Sequence, residues 1–180
     1  MTESAAHTPL VILGSARSDG NTQQCLTKVL AEIPHTVADL RDYSVAAYDY
    51  LHEYPAEDQF LHLTELMLRH PVIVFATPVY WYSMSGRMKN FFDRLTDLVE
   101  EPHKKLGRRM AGKHAFLLAT GYDEEWAEGF EVPFRRTAEY FDMHYEGSLY
   151  HSSEQPFPEE AARQFAQRIS QCCQSPLAHS

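Results

Sequence analysis

The chain has 180 residues, 44% of them hydrophobic and 23% charged, which suits one globular domain with a sizeable core. Its formal net charge of −9 and isoelectric point near 5.5 argue against a nucleic-acid partner and against anionic membranes, whose phosphates would repel such a surface. Three cysteines, two of them adjacent at Cys172 and Cys173, make no disulfide framework, and the ten histidines show no helical pair at ligand spacing, so no metal site is expected.

The first eight residues carry no basic region, and the apolar run after them is too short for a signal peptide or a membrane span. The cytoplasm is the expected compartment, with 1–8 and 174–180 as flexible tails of a single domain spanning 1–180. Residues 9–14 read as a buried strand, continuous in Val, Ile and Leu. From Asn21 the pattern turns helical, with Leu26, Val29, Leu30 and Ile33 on one face until Pro34 stops it. A second strand follows at 35–40, then a long irregular connection to about Glu57 that contains Tyr43, Tyr48 and Tyr50. Phe60, Leu63 and Met67 mark a helix ending before Pro71, and Val72 to Ala76 is a strand. After Tyr82 a helix is predicted, with Met88, Phe91, Phe92, Leu95, Leu98 and Val99 as its broad apolar face. A charged linker at 100–109, a strand at 113–119, a polar loop from Thr120 to Glu125, a helix at 130–141 and a strand at 145–150 come next. Pro158 then opens the last helix, whose stripe is Ala162, Phe165, Ala166, Ile169 and Cys172.

Five strands alternating with helices predict an α/β domain: a parallel sheet wound on both faces by right-handed crossovers. In the five-stranded order 2-1-3-4-5, strands 1 and 3 are neighbours, and ligands bind beyond the carboxyl ends at this switch point. The polar loops after strands 1, 3 and 4 therefore converge on one edge.

The first of these loops is Gly14-Ser15-Ala16-Arg17-Ser18-Asp19-Gly20-Asn21-Thr22. A helix start leaves N–H groups unpaired and carries the positive end of the macrodipole, which suits a phosphate. Ser15, Ser18 and Thr22 add hydroxyls, Asn21 an amide, Arg17 a two-pronged cation, and Gly20 permits close backbone approach. The spacing matches neither the Gly-Lys-Ser/Thr ending of an ATP loop nor a dinucleotide fingerprint. The loop alone could equally be an N-capping turn with Arg17 solvated. The second loop runs Thr77-Pro78-Val79-Tyr80-Trp81-Tyr82-Ser83-Met84-Ser85-Gly86-Arg87-Met88-Lys89-Asn90-Phe91-Phe92-Asp93-Arg94. Its aromatic triad could finish the core, yet three consecutive rings cannot all face inward and would suit a planar ligand.

Together the two stretches resemble the flavodoxin-like NAD(P)H-dependent FMN reductases and NAD(P)H:quinone oxidoreductases. The resemblance covers about residues 9 to 150 and implies a three-layer flavodoxin-like fold. It implies FMN with its phosphate on Ser15, Arg17, Ser18, Gly20, Asn21 and Thr22. The flavin ring would lie beside Pro78, Val79, Tyr80, Trp81 and Tyr82 on one side and Thr120, Gly121 and Tyr122 on the other. Tyr122 stands where the family often has a second glycine. The implied reaction moves a hydride from NADH or NADPH to FMN and on to a quinone-like or other small acceptor, with no catalytic side chain named. A homodimer bordering the flavin is also implied, and the apolar face of the third helix could form it or equally be core. A flavodoxin-type FMN electron carrier is the alternative, and a scaffold protein that has lost the cofactor is a further one. Lys89, Asp93 and Arg94 read as helix-surface ion pairs, Asp123 to Glu125 as a solvated loop, and Lys104, Lys105, Arg108 and Arg109 as a basic run at the far edge of the sheet.

Overall fold

The computed structural model describes residues 8–174. Five parallel strands, β1 (Leu10–Leu13), β2 (Thr36–Asp39), β3 (Val72–Tyr80), β5 (His114–Gly121) and β6 (His144–Ser152), pair in the order β2-β1-β3-β5-β6. This is the expected order, with β1 beside β3 at the switch point. A sixth strand, β4 (Ser83–Met84), is antiparallel to β3 and lies off the main path. The helices are α1 (Asn21–Val29), α2 (Phe60–Arg69), α3 (Gly86–Arg94), α4 (Lys104–Arg108), α5 (Val132–Tyr140) and α6 (Glu159–Gln174).

The central strands are apolar along their length because both faces are covered. Val11, Leu13, Val74 and Leu118 pack with Leu26, Phe165 and Ile169 from α1 and α6. On the other face Leu10, Ile12, Phe75 and Leu117 pack with Phe60, Leu63, Phe91 and Phe134 from α2, α3 and α5. Among the described residues no helix is long and apolar enough to cross a membrane. Of the anticipated tails, Thr8 bonds the ring of His70 through its carbonyl at 2.8 Å and Gln174 ends α6, while 1–7 and 175–180 lie outside the described residues.

The stretch 77–109 departs from expectation at several points. β3 does not stop at Ala76 but runs to Tyr80, and a hairpin comes before the helix, because Tyr80 and Ser83 pair across a two-residue turn. The helix begins at Gly86 and tightens into a 3₁₀ turn at Leu95–Leu98. Of its stripe, Met88, Phe91, Leu95 and Leu98 are core, at 5% exposure or less, while Phe92 and Val99 are half-buried. The charged linker contains the short helix α4.

A further correction is Arg94, which is 1% exposed. Lys89 and Asp93 form the expected surface pair at 2.6 Å. Arg94 instead binds Asp58 at 2.7 and 3.1 Å, Asp97 at 2.8 Å and the Ala46 carbonyl at 3.1 Å. Its guanidinium lies 3.5 Å from the centre of the Tyr54 ring and 4.7 Å from that of Phe60. The reason is tertiary: the connection between β2 and α2 folds back over the end of α3, so a position that a lone helix would leave in water is covered.

Candidate functional site

The three loops are tied to one another as well as being neighbours. Ser85, the N-cap of α3, donates from Oγ to the Gly14 carbonyl and accepts from the Met88 amide at 3.2 Å. Gly14 cannot carry a side chain, since a Cβ there would lie 2.9 Å from Met88 Cβ and 3.0 Å from Ser85 Oγ. Thr22, in the first turn of α1, shares a buried 2.7 Å hydrogen bond with Thr120 at the end of β5. Pro78 and Thr120 are register partners across β3 and β5. The first loop is thus fastened to the second through Gly14 and Ser85, and to the third through Thr22 and Thr120.

The start of α1 is open in the way a phosphate requires. Gly20 is the N-cap and supplies no side-chain cap, and the first turn holds no acidic residue. The amides of Asn21, Thr22 and Gln23 have no carbonyl four residues back within the helix, so they remain available to an anion. Ser15 is buried and bonds within its own loop, donating to the Arg17 carbonyl at 2.9 Å and accepting from the Arg17 amide at 3.3 Å. That shapes the loop and leaves Arg17 and Ser18 exposed. Among the described residues the Arg17 guanidinium has no hydrogen-bonding or ion-pair partner, whereas Arg41 is committed to Asp39. The donor set fits a phosphate monoester such as that of FMN. Asn21 also borders a cavity of about 120 Å³ that includes Gln24, Lys28 and His151.

The second loop is a strained hairpin. Trp81 and Tyr82 occupy its two central positions with φ of +49° and +63°. That is the left-handed pair a type I′ turn needs, which Asn and Gly usually supply because an L side chain there costs about 1–2 kcal/mol per residue. The rings have no compensating burial, since Tyr80, Trp81 and Tyr82 are 46%, 93% and 67% exposed. Pro78 is buried and Val79 half-buried, so they form the base of the hairpin. Strain combined with exposed apolar surface points to a surface kept for a ligand or partner.

The third loop is held from behind. The carbonyls of Gly121, Tyr122 and Asp123 accept from the Ser153 amide, Ser152 Oγ and Tyr150 Oη, each at 2.8 Å. A Cβ on Gly121 would collide with Tyr150 Oη, so any larger residue there would have to displace the Tyr150 hydroxyl. Trp126 lies against Tyr150 at 5.4 Å between ring centres and continues to Phe130 at 5.3 Å and so into the core. Tyr122 has no positive φ and is 68% exposed, so the missing glycine leaves the backbone undistorted. Asp123, Glu124 and Glu125 are exposed, as expected of a solvated loop.

The sequence reading passed over Ser85, Trp126, Tyr150 and Ser152. Ser85 carries a legible signal, a serine just before an amphipathic run. The other three carry none, because their roles depend on the register between β5 and β6. Lys104 and Arg108 pack with Tyr140 and Asp142 in a hollow at the amino edge, away from all three loops. A groove of about 690 Å³ runs between α1 and α6.

Comparison with known proteins places the fold and the family. The chain is 27% identical over 154 residues to YwqN of Bacillus subtilis, described as an NAD(P)H-dependent FMN-containing oxidoreductase, covering 81% of this chain and 85% of that one. The fold superposes on the apo form of an NADH:FMN oxidoreductase, EMOB, with a TM-score of 0.66 at 19% identity, over 96% and 91% of the two chains. It also superposes on an NADPH-quinone reductase from P. pentosaceus with a TM-score of 0.63 at 16% identity, over 91% and 97%. Residues 9–155 match the family described as NADPH-dependent FMN reductase, and the chain belongs to that family of flavodoxin-like FMN flavoproteins and NAD(P)H-dependent oxidoreductases.

Proposed function

We propose that the protein is an FMN reductase that passes reducing equivalents from NADH or NADPH to a small quinone-like acceptor, with the three tied loops as its site. The observation that carries this reading is the hairpin of Trp81 and Tyr82, a strained and exposed aromatic platform beside an uncapped helix start. FMN, when bound, supplies the two-electron redox chemistry. The start of α1 and Arg17 hold its phosphate, with Ser18, Asn21 and Thr22 around it. Pro78 and Val79 support the hairpin from below, and the Gly121–Tyr122 backbone, fixed by Tyr150 and Ser152, forms the opposite wall. Trp81 and Tyr82 give a second planar ring an apolar surface and exclude water from it. The exposed carboxylates at 123–125 disfavour anionic acceptors.

A site that serves nicotinamide and acceptor in turn gives ping-pong kinetics. Anaerobic stopped flow of the FMN-loaded protein tests this: NADH or NADPH alone should bleach the flavin within seconds, without a partner protein. Slow reduction that needs a separate reductase would assign the chain to the electron carriers. A homodimer bordering the hairpin accords with the exposure of Trp81 and Tyr82 and is measured by sedimentation. A single domain at work in the cytoplasm, with neither membrane nor nucleic acid as partner, completes the proposal and accords with the −9 charge.

A further inference from the structure

Away from the three loops, the described residues bring together three different metal-ligand types. His114 opens β5, Glu146 lies in β6 and Cys172 in α6, and their ligand atoms all lie within 4.8 Å of one another. The side chains of His114 and Glu146 are 17% and 14% exposed, and Cys172 is buried. The backbone sets up this meeting. The β5–β6 register shifts so that Ala115 faces Tyr145 and Phe116 faces Gly147, which makes Glu146 the extra residue of a bulge, with Gly147 at φ +122°. Bulges re-aim side chains. Here the Glu146 carboxylate takes His114 Nδ1 on Oε1 at 2.7 Å, and Arg168 on Oε2 at 2.6 and 3.0 Å.

We propose that His114, Glu146 and Cys172 form a binding site for one divalent transition-metal cation of the zinc and cobalt class. An imidazole nitrogen, a carboxylate oxygen and a sulfur suit such borderline cations, whereas calcium and magnesium require an all-oxygen shell. Bonds of about 2.0–2.3 Å in a tetrahedron place ligand atoms about 3.3–3.8 Å apart. The His114–Glu146 contact must therefore open slightly and the thiol close in. Arg168 stays on the second carboxylate oxygen and orients it, as outer partners of metal ligands do. Charge also balances: carboxylate and thiolate offset the dication. Without the ion, burial and then the Glu146 carboxylate push the Cys172 thiol above its ordinary range. On binding, the thiol proton leaves to solvent, the imidazole proton moves from Nδ1 to Nε2, and water takes the fourth position.

His114 and Gly121 are the two ends of β5, about 23 Å apart at strand rise. The ion would clip β5, β6 and α6 together at the amino edge and stand outside the redox site, so the inference does not depend on the flavin reading. The ten histidines hid it, because ligands on two strands and a helix have no short-range spacing.

Cobalt(II) titration of the tag-free, metal-stripped protein tests the site. One equivalent should bind with a thiolate-to-cobalt charge-transfer band in the near ultraviolet, displaced by zinc. Cys172→Ser should abolish the band, while Cys173→Ser and Cys25→Ser keep it. His114→Ala should weaken zinc binding by at least about tenfold. A cobalt complex without the band, a band that survives Cys172→Ser, or unchanged zinc affinity in His114→Ala would overturn the proposal. The cluster would then be only an ion pair that pins α6 to the sheet.

Discussion

Two aromatic segments near α3 follow opposite rules. The hairpin before it holds Trp81 and Tyr82 in left-handed backbone and leaves both rings in solvent. The strap over its other end places Tyr54 flat on a buried guanidinium and closes Asp58, Asp97 and the Ala46 carbonyl around it. The strap makes many contacts, and they are internal; the hairpin makes few and presents its surface outward. Of the two, the ion-pair end of the strap is built into the fold, whereas the hairpin adds little packing of its own.

The largest way to break the strap is Arg94→Met, which leaves two buried carboxylates without a cation. It should cost about 3–5 kcal/mol in urea unfolding, while FMN affinity of the folded fraction holds. A loss below about 1 kcal/mol would show that the strap does not anchor the fold. Acid attacks the same place. Burial raises the Asp58 carboxyl, but the Arg94 hydrogen bond, the Ala46 and Phe60 amides and the Arg94 charge outweigh it and hold it below its ordinary value. Its contribution is therefore complete above about pH 4 and lost as pH falls through the lower folded value. Asp58→Asn should flatten that part of the stability curve relative to the parent; parallel curves would contradict it.

At the phosphate end, Arg17→Ala should weaken FMN binding by about 1.5–3 kcal/mol and leave unfolding unchanged. Riboflavin, lacking the phosphate, should bind both proteins alike in calorimetry, and an unchanged FMN affinity would remove Arg17 from the site. The hairpin should respond in the opposite sense to the strap. Trp81→Asn with Tyr82→Gly relieves the turn and should stabilise the protein by about 1–3 kcal/mol, while raising the Michaelis constant for a quinone. A destabilised double variant would mean the rings are packed, with the platform reading lost. The smallest effect is expected from Lys104, Lys105, Arg108 and Arg109 changed together to Gln. The Michaelis constant for NADPH should move by less than tenfold, about 1.4 kcal/mol, because α4 packs at the opposite edge.

The sequence by itself determined the layered α/β fold, and the family resemblance of its loops supplied the strand order. The fold rests on local signals: short continuous Val/Ile/Leu runs, amphipathic helices with Pro stops, and glycine-containing polar loops directly after strands. The first polar loop was legible for the same reason, since its residues are consecutive. Tertiary structure alone decided the fate of Arg94, the backing of the third loop by Tyr150 and Trp126, and the meeting of His114, Glu146 and Cys172. Each depends on which distant segments touch, on a bulge or on a connection folding back, and a helix-surface pattern around Arg94 looks the same whether or not a strap covers it. Even the hairpin belongs here: Trp81 and Tyr82 are poor residues for a type I′ turn, and only the pairing of Tyr80 with Ser83 forces them into it.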